Sequence, residues 1–107
     1  MLLRREIRAL LNGTRLKVEI NGFSINGKFI GLELKSKIGK VSLQQYKNGA
    51  KITENKGIFA VIDDYDNFLE LYNDLIKNKK VIRHTLSFEE LSNLLNSTRT
   101  LIALAVR

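Results

Sequence analysis

The residues of this chain that could take part in catalysis are few. His84 is the only histidine, so a Ser-His-Asp triad or a histidine-based metal site would depend on this residue alone. Asp63, Asp64 and Asp66 are close enough in sequence to hold a divalent cation, as in metal-dependent nucleases. Acidic residues at the start of a helix are also ordinary caps that suit the positive end of its dipole. The sequence therefore predicts no enzyme, no metal and no cofactor.

Other common chemistries are excluded by composition. The chain of 107 residues has no cysteine, so it can form neither disulfides nor thiolate metal sites. Its glycines do not follow the spacing of phosphate-binding loops. The longest apolar runs are far shorter than the roughly 20 residues of a membrane-spanning helix, and the first residues do not resemble a secretory signal. We expect an intracellular protein without membrane contact.

The basic residues are concentrated in the first part of the chain. Residues 1–60 contain 12 Lys and Arg against 4 Asp and Glu, a balance of +8, whereas residues 61–107 contain 6 against 7. A positive field confined to one half of a small protein is typical of a surface that binds a polyanion. This asymmetry is the main functional signal of the sequence.

Single-stranded nucleic acid is bound by cations that follow its backbone and by aromatic rings on which its bases stack. Phe29 and Tyr46 are the stacking candidates, although either ring could instead lie in the core or in a subunit interface. The candidate nucleic-acid-binding residues are Lys17, Phe29, Lys35, Lys37, Lys40, Tyr46, Lys47, Lys51 and Lys56.

The elements that would position these residues in the first half are mainly strands. Three of the four Asn-Gly dipeptides, at residues 21–22, 26–27 and 48–49, are strong hairpin signals because both residues tolerate positive φ. Apolar and polar residues alternate with the period of a strand. The predicted strands are Arg15–Ile20, Ile30–Leu34, Lys40–Tyr46 and a fourth that starts near Lys51. Ile58–Ile62 is either the continuation of this fourth strand or a fifth.

Helical patterns flank this region. Residues 2–12 predict a helix that stops at Gly13, and a longer helix begins at Asp63 or Asp64, with apolar residues at 3.6-residue spacing. Ser87 and Glu90 form a capping box for another helix that ends near residue 96. Residues 81–86 and 100–106 predict short strands. The sequence therefore favours one α+β domain over residues 1–107, an antiparallel β-meander sheet of four or more strands with helices packed on one face.

Part of the chain resembles the positive cofactor four family of transcriptional coactivators. The resemblance covers residues 38–78 and rests on three segments: Ile38–Gly49, with a Val-Ser strand and an aromatic-basic turn; Lys51–Ile52; and Lys56–Ile58, which leads into a helix with aromatic residues. It implies a homodimer whose curved sheets bind single-stranded DNA. Tyr46 then matches the aromatic residue of the turn, Lys47 the basic residue beside it, and Lys40 and Lys56 further backbone contacts. Thr53 and Glu54 depart from the family pattern, which has an arginine at the strand end.

The function expected from the sequence is non-catalytic binding of nucleic acid on a basic sheet face, with single-stranded DNA favoured. Three alternatives remain open. The domain could be a protein-interaction module that binds no nucleic acid, it could bind duplex DNA through the arginines of its first helix, or it could be a metal-dependent nuclease. Binding to nucleic acid should weaken steeply with salt as condensed counterions are released.

Overall fold

The computed structural model describes residues 2–35, 41–81 and 83–106, of which 98–106 are described as backbone. None of the helices in these ranges is long and apolar enough to cross a membrane. The helices and strands follow one another along the chain in this order: α1 (Leu2–Asn12), β1 (Lys17–Glu19), β2 (Gly22–Ile25), β3 (Lys28–Leu34), α2 (Leu43–Glu54), β4 (Ile58–Ile62), α3 (Tyr65–Ile76), β5 (Thr85–Leu86) and α4 (Phe88–Val106).

The five described strands form one sheet in the order β1-β2-β3-β4-β5. Three neighbouring pairs are antiparallel, but β3 and β4 are parallel. The connection through α2 returns the chain to the edge of the sheet at which β3 begins, so β4 runs in the same direction as β3. The predicted α+β class, with a sheet of four or more strands, is confirmed. The purely antiparallel meander is wrong, since the sheet is mixed.

Helices cover both faces of the sheet, where the sequence predicted one. Side chains of successive strand residues point to opposite faces. On one face, Phe23 and Ile30 pack with buried residues of α1 and α3 into the main core. On the other, α2 lies against β3 and β4, with Gly49 next to the ring of Phe59, and α4 packs on α2.

The segment before residue 55 differs most from its prediction. Residues 43–54 are helical, so the expected strand over Lys40–Tyr46, the turn at residues 48–49 and the strand from Lys51 are wrong. Ser42 starts this helix with a complete capping box, in which its hydroxyl accepts from the Gln45 amide and the Gln45 side chain accepts from the Ser42 amide. This motif satisfies two backbone donors that would otherwise be unpaired at the helix start.

The hairpin between β2 and β3 follows its prediction. Its two loop residues, Asn26 and Gly27, have φ of 52° and 77°, and positive φ at both positions gives the twist that two-residue hairpins require. The Asn-Gly pair at residues 21–22 also lies at a hairpin, in which Ile20 and Asn21 connect β1 and β2.

The second half also follows the sequence in part. Asp64 caps α3 by accepting a hydrogen bond from the Asn67 amide at 2.8 Å, and Ser87 and Glu90 form the predicted capping box of α4. The strand predicted at 81–86 is reduced to Thr85–Leu86. The strand predicted at 100–106 is wrong, because α4 continues through residue 106.

Candidate nucleic-acid interface

An open cleft lies where α2 leaves part of the sheet uncovered. Its volume is about 660 Å³; its floor includes Phe29 and Gly31 of β3, and Lys51 of α2 stands at its wall. Ile20, at the turn between β1 and β2, forms its rim. We call this site the cleft.

The floor of the cleft is shaped by two facing glycines. Gly22 of β2 pairs with Gly31 of β3. A Cβ on Gly22 would lie 3.0 Å from Cζ of Phe29, and one on Gly31 would lie 3.6 Å from Cε1 of the same ring. The Phe29 ring is half-buried against these two glycines, with the Ile52 side chain of α2 packed on Gly31, and it borders the cleft.

Two of the predicted cations accompany this ring. Lys51 is exposed on α2 and lines the cleft. Lys17 pairs with Ser24 and Ser24 with Phe29, so these three residues lie in one row on the same sheet face. Lys17 also forms an exposed ion pair with Glu19, 3.6 Å between Nζ and Oε1, and such pairs contribute only about 0–1 kcal/mol. The Lys17 ammonium can therefore exchange this partner for a phosphate.

The cleft also contains a carboxylate that the sequence reasoning missed. Glu33 of β3 accepts a hydrogen bond from the side-chain amide of Gln45. Partial burial raises the pKa of Glu33 above its usual value of 4.5, against the opposing effects of Arg4 and of the Gln45 hydrogen bond. The alternation of β3 gives a signal for it, since Phe29, Gly31 and Glu33 fall on one face.

The remaining predicted residues lie apart from the cleft or outside the described ranges. Tyr46 and Lys47 are half-buried on α2 and do not line the cleft. Tyr46, which was expected to be the aromatic residue of a turn, is therefore part of a helix. Lys56 is exposed just after α2 in the left-handed conformation, with φ of 66°. Lys35 follows β3, and its amide donates to the Ile62 carbonyl. Lys37 and Lys40 lie outside the described residues.

Asn48 is a second missed residue, one turn of α2 before Lys51, and it lines the cleft. Its side-chain oxygen accepts from the Gln44 amide at 3.1 Å, which leaves its NH₂ group as a donor. Spacing of three residues places Asn48 and Lys51 on one helix side. That signal was hidden because the segment was interpreted as strands.

Two of the three aspartates considered for a metal form hydrogen bonds at the start of α3. Asp64 is the cap of α3, and Asp63 accepts from the side-chain amide of Asn67 at 2.7 Å. Across the described ranges, no group of three or more His, Cys, Asp or Glu residues is placed to hold a metal ion.

Comparison with known proteins does not extend this description. No protein-family model, curated protein or solved structure matches the chain. The coactivator resemblance, the homodimer and the intracellular location therefore stay predictions.

Proposed function

We propose that the protein binds single-stranded nucleic acid in the cleft, with an unpaired base stacked on Phe29 and the adjacent phosphates held by Lys51 and Lys17. The observation that carries this proposal is the position of Phe29. Its ring lies across the paired glycines Gly22 and Gly31 and borders the open cleft. The ring is half-buried against the sheet, so a base can stack on its exposed side.

The charges of the cleft support a nucleic acid over a simple anion. Lys51 in the cleft and Lys17, which lies outside it in the row of Phe29, can contact phosphates. Glu33 and Asn48 in the cleft offer an acceptor and a donor. A negative carboxylate would repel phosphate, but it accepts hydrogen bonds from the amino groups of bases. A strand with its backbone at the lysines and its bases over the floor satisfies both kinds of group.

The stacking surface favours unpaired bases, because a base within a duplex has no free face to offer. Duplex binding through α1 is the competing arrangement. Arg4, Arg5 and Arg8 are exposed on that helix, whereas its Leu3 and Ile7 are buried. The two arrangements predict different responses to variants in the cleft.

The decisive experiment is fluorescence anisotropy with a labelled oligonucleotide, first single-stranded and then duplex, at low and physiological salt. Phe29→Leu should weaken single-strand binding at least about fivefold, since base stacking on an aromatic ring contributes about 1–3 kcal/mol. Lys51→Gln should reduce the slope of log affinity against log salt by about 0.7. Lys77→Gln, an exposed residue outside the cleft, is the charge-matched control.

Two outcomes would overturn the proposal. One is the absence of single-strand binding by the unaltered protein even at low salt. The other is equal weakening by Lys77→Gln and Lys51→Gln, which would mean that charge acts without regard to position. Duplex binding that survives Phe29→Leu and disappears in Arg4→Gln/Arg8→Gln would favour α1 instead.

A second candidate function is metal-dependent cleavage of the bound strand. Glu19 and Glu33 both line the cleft, and Lys51 lines it with them. Two carboxylates can hold Mg²⁺ or Mn²⁺, which activates water, while an ammonium stabilises charge developing on the phosphate. Incubating labelled DNA with each metal tests this candidate. Cleavage abolished by Glu33→Gln would support it, and intact DNA would exclude it.

A further inference from the structure

A second concave site lies at the other end of β3, on the opposite sheet face from the cleft. Its volume is about 330 Å³, and Lys28, Lys79 and Lys80 line it together with apolar residues. Lys28 begins β3 five residues before Glu33, about 17 Å away along the strand. We call this site the basic pocket.

The lysines of the basic pocket are brought together by two separate turns. Lys28 follows the hairpin turn at Asn26 and Gly27, where both φ values are positive. Lys79 and Lys80 follow the end of α3, where Asn78 has φ of 57°. The Asn78 amide donates to Leu75 and the Lys79 amide to Asp74, the paired hydrogen bonds of a Schellman motif. The backbone preference of Asn26 and Gly27 thus fixes the first turn, and local hydrogen bonds fix the second.

The charges of the basic pocket are not balanced within the described part of the chain. No aspartate or glutamate is among its lining residues. The ion pairs found in the described ranges are Lys17 with Glu19 and Arg83 with Glu70, so none of the three pocket lysines belongs to one. Three ammonium groups around one depression repel each other, and an anion with several oxygens relieves that repulsion.

The floor of the basic pocket is apolar. Ile58 and Val81 line it and are partly exposed, above the buried Ile30 of the main core. Asn26 and Asn78 also line it with side-chain amides. A cationic rim over an apolar floor suits a ligand with a charged group at one end and an apolar surface at the other. A nucleotide unit has this form, with phosphate, sugar and base in sequence.

We propose that the basic pocket binds the phosphate of a nucleotide unit through Lys28, Lys79 and Lys80, with the sugar or base against Ile58 and Val81. The nucleotide unit can be free or part of a strand. This proposal does not depend on the cleft, because the two sites share neither residues nor a sheet face.

The test is a titration of the ¹⁵N-labelled protein with inorganic triphosphate, a nucleoside triphosphate and a short single-stranded oligonucleotide, followed by amide chemical shifts. We expect shifts that saturate at residues 26–28 and 78–80 with the first two ligands. Lys79→Gln/Lys80→Gln and Lys28→Gln should each raise Kd at least about fivefold. Lys77→Gln, adjacent in sequence but not lining the basic pocket, should leave Kd unchanged.

The three ligands distinguish the source of the phosphate. Tighter binding of the nucleoside triphosphate than of inorganic triphosphate supports a free nucleotide, with the floor in use. Saturation at the same amides by the oligonucleotide alone supports a phosphate carried by a strand. Phe29→Leu should leave triphosphate binding intact, so failure of the cleft proposal would not affect this result. Shifts spread evenly over all lysines, or equal weakening by Lys77→Gln, would overturn the basic pocket.

Discussion

Gly49 of α2 lies directly against the ring of Phe59 on β4. A Cβ at Gly49 would be 2.5 Å from Cδ2 of Phe59, closer than side-chain carbons approach. Phe59 is buried, with 3% of its surface exposed, so its ring has little room to move. The glycine therefore sets the distance between α2 and the sheet, and with it the width of the cleft.

This contact reverses the usual effect of replacing a glycine in a helix. Alanine is favoured over glycine by about 1 kcal/mol at an exposed helical position, yet we expect Gly49→Ala to lower the free energy of unfolding by about 1–3 kcal/mol through overpacking. Urea unfolding followed by circular dichroism measures this. In a Phe59→Leu background the penalty should shrink or change sign. A more stable Gly49→Ala protein would contradict the packing described.

The same glycine shows why part of the fold could not be predicted from the sequence. Asn26 with Gly27 forms the expected hairpin turn, whereas the identical pair at residues 48–49 lies inside α2. The dipeptide indicates which backbone angles are permitted, but it does not indicate that the ring of Phe59 will pack on Gly49. A local signal was nevertheless present, because Ser42 and Gln45 have the capping-box spacing that correctly predicted α4 from Ser87 and Glu90.

The candidate site was predictable to the same limited extent. Phe29 could be placed on a sheet face, since its neighbour Ile30 belongs to the core and strand side chains alternate. Lys51 was selected for its charge, but its position beside Phe29 depends on α2 and on a crossover connection. Long-range packing of this kind is not encoded in the period of any one segment. The sequence thus indicates candidate residues but not their arrangement.

Lys56 occupies a position at the end of α2 that favours glycine. Its φ of 66° is left-handed, and the hydrogen bonds from its amide to Thr53 and from the Gly57 amide to Ile52 form a Schellman motif. A side chain with a Cβ costs about 1 kcal/mol in this conformation. We therefore expect Lys56→Gly to raise the free energy of unfolding by about that amount, measured by urea unfolding.

A matched control is available at the end of α3. Lys77 has φ of −78°, which gives glycine no steric advantage, and Lys77→Gly should destabilise the protein by a few tenths to about 1 kcal/mol through backbone entropy. Equal effects of the two substitutions would show that loss of charge, and not backbone conformation, determines the result.

Glu33 should make stability depend on pH. Burial raises its pKa above 4.5 in the folded protein, so just above pH 4.5 the folded state retains a proton that the unfolded chain has released. Raising the pH through the folded pKa therefore lowers the free energy of unfolding. Glu33→Gln has no carboxyl group at this position and therefore does not lose free energy of unfolding in this way. The free energy of unfolding of the variant minus that of the unaltered protein should increase from pH 4 to pH 7 in thermal unfolding experiments.

The control for this pH effect is Glu54→Gln. Glu54 is exposed on α2, so the substitution removes the same charge without removing a buried carboxyl group. Its stability difference from the unaltered protein should change less between pH 4 and pH 7 than that of Glu33→Gln. Parallel curves for the two variants would indicate a general charge effect on the basic protein.

Ile20 offers a test in which ligand contact and folding stability can be separated. Its side chain is 75% exposed at the rim of the cleft, an unusual place for a branched apolar residue because hairpin turns favour Gly, Asn and Asp. We expect Ile20→Ser to change the free energy of unfolding by less than about 0.5 kcal/mol. If a bound base covers Ile20, the lost apolar contact should weaken single-strand binding by about 1 kcal/mol, or roughly fivefold.

Leu2→Ser is the matched control, since Leu2 is 70% exposed on α1 and does not line the cleft. Equal affinities of the two variants would mean that the bound strand does not reach this rim.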